Sequence, residues 1–279
     1  MNCYIDAGNS RIKGRLQRRS RAPDAPFAIE WPVPAESAAS VDNLVERLDP
    51  SLTDAKGRRP AQIAIASVAD EARREQLEAA LTRLCPEAKL RWLGVPRRCC
   101  HVRVGYDDHE QLGIDRFCAM IEARERSAGG PLAVINAGTA ITLDLVEAGG
   151  RHLGGLILPG VLAQAEGLRR SAPGLAPALD ALSTSGPESE SDPAEVTRRY
   201  GVGTDTKAAL SLGRDWMLAA ALDQMLAVWS ERLDDKPLEV FVSGGDADHL
   251  AALVDPGYAP RVEPDLVLAG VARLARARR

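Results

Sequence analysis

A short strand, a turn of small residues and a second strand occur twice along the chain, and this repeat constrains the fold more than any other feature. The first turn is Asp6-Ala7-Gly8-Asn9 and the second is Asn136-Ala137-Gly138-Thr139. After each turn, apolar and polar residues alternate with the period of a β-strand. The copies lie 130 positions apart (136 against 6), close to half of the 279 residues. One repeat at that spacing predicts a duplicated domain rather than a solenoid.

The repeat divides the chain into two predicted α/β domains. At about 150 residues per domain the length also gives two, and we place them at 1–127 and 128–279. Each half begins with three strands followed by a helix. Residues 171–194 are rich in Pro, Ser, Ala, Gly and acidic residues, which predicts a lid segment with little helix or strand. Further helices are predicted over 70–84, 112–126 and 206–232, and from 264 to the basic end.

The composition predicts a soluble, cytoplasmic protein that does not act through a basic surface. With 35 basic and 39 acidic residues the net charge is −4, which argues against a nucleic-acid partner. The apolar runs are far shorter than the roughly 18 residues of a membrane span, so no membrane partner is expected. The cysteines are odd in number and form no C-x-x-C, which suits a reducing compartment. For the adjacent Cys99 and Cys100, a structural pair of thiols is favoured over a redox pair.

The two turns are suited to holding phosphate groups. Turns of this kind present backbone N–H groups and hydroxyls to an anion, and a Cβ at Gly8 or Gly138 would hold a phosphate away from the backbone. Asp6, beside the first turn, is placed to hold Mg²⁺ together with phosphate oxygens. For either turn alone, an ordinary hairpin is the stronger interpretation. Their pairing, with Ser243-Gly244-Gly245 after a late strand, favours a phosphate site, and neither a P-loop nor a Rossmann motif competes.

Six segments then stand in a fixed order: DAGNS at 6–10, Gly105-Tyr106, Leu112-Gly113-Ile114-Asp115-Arg116, NAGTAITLD at 136–144, Gly154-Gly155-Leu156-Ile157-Leu158-Pro159-Gly160 and TDTKAALSLG at 204–213. Together they resemble type III pantothenate kinase, within the superfamily of actin and hexokinase, over nearly the whole chain. The resemblance implies duplicated ribonuclease-H-like (actin-like ATPase) domains with an interdomain ATP cleft. It also implies ATP-dependent phosphorylation of pantothenate to 4′-phosphopantothenate, the first step of coenzyme A biosynthesis.

The resemblance further implies a role for each matching residue. It makes Asp115 the general base and Asp6 the Mg²⁺ ligand beside ATP. It implies a homodimer in which Thr206 reaches pantothenate across the interface. The residues implied to bind ATP are Asp6, Ala7, Gly8, Asn9, Ser10, Arg11, Ile12, Lys13, Gly138 and Thr139. The residues implied to bind pantothenate are Tyr106, Gly113, Ile114, Asp115, Arg116 and Thr206.

Each of these side chains also has a purely structural alternative. Asp115 can be an acidic residue that stabilises a helix N-terminus, and Arg116 can simply pair with a carboxylate. Tyr106 can be core packing, and Lys13 can be a solvated charge on the polar side of its strand. Thr206 can be the N-cap of its helix.

Asn136 departs from the family pattern, in which Asp begins the second turn and is associated with a monovalent cation such as K⁺ or NH₄⁺. An amide oxygen can ligate such a cation, but without a full negative charge. Asn136 therefore favours a second hypothesis, a non-catalytic nucleotide-binding accessory or regulatory protein of the same family. A third hypothesis is a superfamily kinase for another small alcohol, such as a sugar. The presence of Asp6, Asp115 and Arg116 together favours the pantothenate kinase.

Overall fold

The computed structural model describes residues 1–18, 26–31, 38–54, 56–184, 201–233 and 237–277. Its strands are β1 (Asn2–Ala7), β2 (Arg11–Gln17), β3 (Phe27–Glu30), β4 (Gln62–Ser67), β5 (Lys89–Trp92), β6 (Arg98–Cys99), β7 (Val102–Arg103), β8 (Leu132–Ala137), β9 (Ala140–Val146), β10 (His152–Pro159), β11 (Glu239–Gly244) and β12 (Arg261–Val262). Its helices are α1 (Ala38–Leu48), α2 (Glu71–Leu84), α3 (Ile114–Arg126), α4 (Val161–Ser171), α5 (Ala176–Thr184), α6 (Thr206–Glu231), α7 (Ala247–Leu253) and α8 (Leu266–Arg276). Within these ranges, no helix is long and apolar enough to cross a membrane.

The chain forms two compact units with the same sheet topology. The first unit holds Met1–Glu125 and Leu266–Arg279, and the second holds Arg126–Asp265. The strand order is β3-β2-β1-β4-β5 in the first sheet and β10-β9-β8-β11-β12 in the second. In this order, the first two strand pairs of each sheet are antiparallel and the last two are parallel. The β1 and β8 ranges differ by the predicted 130 positions, so the duplicated α/β architecture is confirmed.

Residue alternation along β1 explains how the first sheet packs. Cys3, Ile5 and Ala7 are fully buried on one face, where they join a core with residues of α1 and α2. The alternate positions, among them Asn2 and Asp6, point to the opposite face, because successive side chains of a strand alternate. The core formed with α1 and α2 therefore lies against one face of the first sheet, and Asn2 and Asp6 lie on the other face.

The position of the last helix corrects the predicted domain division. We expected residues from 264 onward in the second domain, but α8 packs on β1, β4 and β2 of the first unit. Its Leu266, Val271 and Leu274 are buried there. A Cβ at Gly270 would overlap the backbone carbonyl of Cys118 on α3. A glycine at this position therefore lets the helix approach the first unit closely.

The predicted lid segment, residues 171–194, is also partly wrong. Residue 171 ends α4, residues 173–175 form a short 3₁₀ turn, and residues 176–184 form α5. Leu179 of α5 is buried, and the alanines and leucines of this helix have high helix propensity. Pro177 lies in the first turn of α5, where a helix tolerates proline. Residues 185–194 of the predicted lid lie outside the described residues.

Candidate active site

The first turn joins β1 to β2, and two hydrogen bonds to the backbone of Gly8 fix it. The backbone N–H of Gly8 donates to the Arg11 carbonyl oxygen at 3.0 Å. The indole Nε1 of Trp31 donates to the Gly8 carbonyl oxygen at 2.8 Å. Asn9, Ser10 and Arg11 are exposed. The loop backbone is thus fixed while its tip faces solvent, as a turn that receives an anion requires.

The side chains flanking this turn divide between the core and the polar face. Ala7 and Ile12 are fully buried in the apolar core, so these two predicted ATP-binding residues can contribute only their backbones. Asp6 and Lys13 are partly buried and face each other in the β1–β2 register. The turn therefore has one carboxylate and one ammonium group at its base.

Asp115 lies in the first turn of α3, as predicted, and its carboxylate folds back over the preceding residues. Its Oδ1 accepts a hydrogen bond from the backbone N–H of Arg116 at 2.8 Å. A Cβ at Gly113 would lie 2.5 Å from that same oxygen. The absence of a side chain at residue 113 is therefore what leaves room for this carboxylate. Phe117 and Cys118, which follow on α3, are fully buried and anchor the helix.

Asp6 and Asp115 are electrostatically coupled within the first unit. The pKa of Asp6 is raised to about 7, chiefly by burial and then by the negative charge of Asp115, while the charge of Lys13 opposes the shift. Like charges disfavour the ionised form only when they are near each other. The first unit thus brings two predicted functional carboxylates, 109 positions apart (115 against 6), to one region.

Tyr106 and Arg116 are in direct contact beside Asp115. The Arg116 Nη1 donates to the Tyr106 hydroxyl at 3.2 Å, and its guanidinium carbon lies 5.8 Å from the ring centroid. Arg97 donates to the carbonyl oxygens of Tyr106 and Asp107, each at 3.0 Å. Tyr106 is only partly buried, so the alternative that it is core packing does not describe it. The buried Arg116, next to Asp115 in the sequence, is therefore held by a tyrosine hydroxyl.

The second turn is packed against two glycines from later segments. A Cβ at Gly160 would overlap the carbonyl oxygens of Gly138 and Thr139, and the Gly160 N–H donates to the Thr139 oxygen at 3.1 Å. Gly244 has a φ of +109°, and a Cβ there would overlap the carbonyl of Ala137. The predicted motifs around residues 154–160 and 243–245 thus meet at the second turn. Gly138 and Thr139 themselves are exposed.

Asn136 and Thr206 complete the predicted set in the second unit. Asn136 is partly buried and lies opposite Thr142 of β9 and Ser243 of β11. Thr206 is exposed at the first position of α6. The N-cap of that helix is Asp205, whose carboxylate accepts from the backbone N–H of Ala208 at 2.8 Å. The alternative that Thr206 caps the helix is therefore wrong, and its hydroxyl is available for another role.

Two residues of the first unit support the site without any signal in the sequence pattern. Trp31 fixes the first turn through the Gly8 carbonyl, and Arg97 fixes the backbone at Tyr106. Both contacts join segments that are separated in sequence. Both are made to backbone carbonyl oxygens, which every residue type provides. No periodicity or motif identifies such a partner.

Comparisons with known proteins identify the family of this chain. A family model described as type III pantothenate kinase matches residues 3–228. The type III pantothenate kinase of Synechococcus elongatus is 34% identical over 270 residues, covering 97% of this chain and 94% of that protein. That of Alkalilimnicola ehrlichii is 34% identical over 274 residues, covering 98% and 96%.

A solved structure supports the fold. A ROK family glucokinase from Streptomyces griseus, in complex with glucose and AMPPNP, has a TM-score of 0.52 at 14% identity and covers 99% of both chains. With the two five-stranded sheets of equal order, this likeness gives the fold as duplicated ribonuclease-H-like, actin-like ATPase domains. The chain belongs to the type III pantothenate kinase family, whose members are kinases that phosphorylate pantothenate in coenzyme A biosynthesis.

Proposed function

We propose that Asp115 is the general base of pantothenate phosphorylation in this chain and that Asp6 holds Mg²⁺ beside ATP. The observation that carries the proposal is the coupling of the two carboxylates, through which Asp115 raises the pKa of Asp6. Two carboxylates that repel each other next to a phosphate turn gain free energy when a cation binds. A structural acid at a helix N-terminus does not require this coupling to a second carboxylate.

The residues near the first turn fit Mg²⁺ better than they fit a metal held by protein alone. Among the described residues, no group of three or more His, Cys, Asp or Glu side chains could hold a metal ion. Mg²⁺ is typically bound by one or two carboxylates together with substrate phosphates and water. Asp6 supplies such a carboxylate, and when bound with ATP the ion would neutralise charge on the phosphates.

The position of Asp115 suits the acceptor hydroxyl of the substrate. An ordinary aspartate is a weak base with a pKa of about 3.9, so it acts chiefly by orienting the alcohol and by taking the proton late, as the new P–O bond forms. Arg116, buried against the Tyr106 hydroxyl, is placed to orient the substrate, and its fixed charge suits the carboxylate of pantothenate. We assign Gly113 and Ile114 to the backbone that shapes this part of the site.

An Asp115→Asn variant tests the proposed base. We expect turnover with ATP and pantothenate to fall about 10²–10⁴-fold, the range for a lost general base, while ATP binding and folding persist. Glu75→Gln is the matched control, because Glu75 is exposed on α2 and its change also removes one carboxylate. Near-wild-type turnover of Asp115→Asn would remove Asp115 from this role. Formation of ADP with a sugar but not with pantothenate would instead show another acceptor.

We also propose a homodimer formed through the second unit. β10 is an edge strand, and its Ile157 is 64% exposed. On α4 and α6, Leu162 and Met217 are 69% and 53% exposed. Exposed apolar side chains around an edge strand favour association with another chain. Thr206 begins α6 with its side chain exposed, so the family's use of this threonine on a partner's substrate fits such a dimer.

Light scattering at assay concentration tests the dimer. We expect the mass of two chains, and we expect Ile157→Glu combined with Leu162→Glu to give a monomer with reduced turnover. Glu166→Gln on α4 is the control, because that side chain is polar and half exposed. A fully active monomer would exclude a substrate site shared between two chains.

Asn136 is proposed to set the dependence of this kinase on monovalent cations. The amide retains a ligand oxygen at the end of β8 but supplies no negative charge, so K⁺ or NH₄⁺ should bind more weakly than beside a carboxylate. We expect Asn136→Asp to strengthen activation by K⁺ or NH₄⁺. Initial rates against K⁺, with choline chloride holding ionic strength constant, compare the two proteins. Identical tight activation of both would show that residue 136 does not govern a cation site.

We place the reaction in the cytoplasm. All five cysteines are free thiols, and three of them, Cys3, Cys85 and Cys118, are buried. Such thiols suit a reducing compartment. Fractionation of the native host with an antibody to this chain tests the location.

A further inference from the structure

The first unit contains an open cavity at the end of its sheet opposite the first turn. Its volume is about 510 Å³, within the range of small-molecule sites. Asn2 at the start of β1, Gln62 at the start of β4 and Lys89 at the start of β5 are register neighbours across the sheet. All three line the cavity, as does Arg276 at the end of α8. The cavity thus lies where β1, β4 and β5 begin, next to the end of the last helix.

The next register row explains why there is space for a ligand. Tyr4 of β1 lies opposite Ala64 of β4, and Ala64 lies opposite Arg91 of β5. The small Ala64 side chain between two long ones leaves a depression. Tyr4, Ala64 and Arg91 all line the cavity.

The described lining of the cavity is cationic. Among the described residues, no Asp or Glu lines the cavity, which carries Arg18, Lys89, Arg91 and Arg276. Arg18 is paired with Asp54 at 3.0 Å. Lys89, Arg91 and Arg276 form no ion pair with the residues that the structure describes. Arg91 instead donates to the Ala275 carbonyl oxygen at 2.6 Å. Arg276 donates to the Tyr4 hydroxyl at 3.2 Å and to the Gln17 side chain.

This arrangement differs from that of other arginines in the same unit. Arg59, Arg73 and Arg83 each contact a nearby aspartate, as is common in a chain with more acidic than basic residues. Three uncompensated cations around a concave surface focus a positive potential and raise the local concentration of anions. The arginine guanidinium also matches phosphate oxygens with two parallel N–H groups.

We propose that this cavity is a second anion site, which binds a small molecule carrying phosphate groups. Lys89, Arg91 and Arg276 supply the charge, and the side-chain amides of Asn2 and Gln62 supply neutral hydrogen-bond donors. The site is separate from the first turn, because Asn2 and Gly8 are six positions apart on an extended segment and therefore about 20 Å distant at roughly 3.3 Å per residue.

Titration calorimetry with inorganic pyrophosphate as the probe tests the site. The protein is first saturated with Mg²⁺ and a non-hydrolysable ATP analogue, so that the first turn cannot account for the heat. We expect one equivalent of pyrophosphate to bind. The double variant Lys89→Gln/Arg91→Gln should weaken binding at least about tenfold, since it removes two charge-assisted contacts. Both side chains are exposed, so the fold should tolerate the change.

The control is Arg98→Gln/Arg103→Gln on the β6–β7 hairpin, which removes the same charge from exposed positions of the same unit. We expect it to bind pyrophosphate as the wild type does. The single variant Arg276→Gln gives an independent test from the helix side and should also weaken binding. Equal losses in both double variants, or the absence of saturable binding to the wild type, would overturn the site. Citrate binding as tightly as pyrophosphate would overturn the phosphate class.

Discussion

Replacing Asp6 with Asn should stabilise the metal-free, nucleotide-free protein while it removes kinase activity. The carboxylate of Asp6 is partly buried and close to the like charge of Asp115. Both conditions make its ionised form costly in the folded state. Asn has nearly the same shape but no charge, so it removes the cost together with the proposed Mg²⁺ ligand.

The expected gain in the free energy of unfolding follows from the pKa of Asp6, which burial and the Asp115 charge raise from 3.8 to about 7. A shift of about three units corresponds to about 4 kcal/mol, at roughly 1.36 kcal/mol per unit. Asp6 keeps part of its surface in contact with solvent, and the site can relax around an ionised group. We therefore expect Asp6→Asn to increase the free energy of unfolding by about 1–2 kcal/mol at pH 8.

The raised pKa of Asp6 also determines how the stability of the wild type changes with pH. Between about pH 4 and pH 7 the folded protein keeps a proton on Asp6 that the unfolded chain has released, so wild-type stability falls as pH rises through this window. Below about pH 4 the side chain is neutral in both states, and the advantage of Asp6→Asn should vanish. Above pH 7 the advantage should be complete.

Urea unfolding in EDTA at pH 5 and pH 8 measures this effect, with Asp54→Asn as the control of opposite sign. The pKa of Asp54 is lowered by the backbone N–H of Arg58, with further bonds from the Arg58 side chain and the Lys56 N–H. Above about pH 4, Asp54→Asn should therefore be less stable than the wild type. The difference in the free energy of unfolding should shrink as the pH is lowered below about 4. An Asp6→Asn variant less stable than the wild type at pH 8, or a shift of both variants in the same direction, would show that ionised Asp6 does not destabilise the folded protein.

Four further predictions concern three glycines and one cysteine. Gly113→Ala should lower turnover at least about tenfold by displacing the Asp115 carboxylate, which steady-state kinetics measures. Gly160→Ala should destabilise the protein by about 1–3 kcal/mol, since its Cβ would overlap the second turn. Gly167→Ala, with open space around it in α4, should stabilise by about 0.5–1 kcal/mol in the same urea titration. Burial and the neighbouring thiol raise the pKa of Cys100 to about 12, so iodoacetamide should alkylate it far more slowly at pH 8 than it alkylates cysteine in an unstructured peptide, as peptide mass spectrometry would show.

The elements that the sequence predicted well are those whose signal is short-range. Alternation after the first turn predicted β2. The helix predicted over 70–84 is α2, and the carboxylate of Asp70 accepts from the Arg73 N–H at its start, at 2.9 Å. Helical spacing likewise predicted α3 with Asp115 in its first turn. In each case the residues that determine the element lie within it or next to it.

The errors arose where a distant partner decides the outcome. The periodicity of α8 predicts a helix but says nothing about which sheet it packs on, and that choice depends on the close approach of Gly270 to Cys118. Similarly, the composition of residues 171–194 predicts a lid with little helix, although residues 176–184 form α5. The burial of Leu179, which depends on residues outside this segment, favours that helix. The approach of Asp6 to Asp115 and the contact of Trp31 with Gly8 are long-range in the same sense.

The two copies of the strand–turn–strand unit share a backbone but differ in charge, and this difference indicates where the chemistry lies. β1 carries Asp6 where β8 carries the equivalent Asn136. The first unit also carries Asp115, whose charge opposes ionisation of Asp6. Such repulsion is relieved by a proton or by a cation, and at neutral pH a cation held with phosphate is the more effective partner. The two turns therefore share the backbone that we propose receives phosphate, but only the first carries the carboxylate of the proposed Mg²⁺ site. A single substitution at residue 136 should for this reason alter the cation dependence proposed for the second turn.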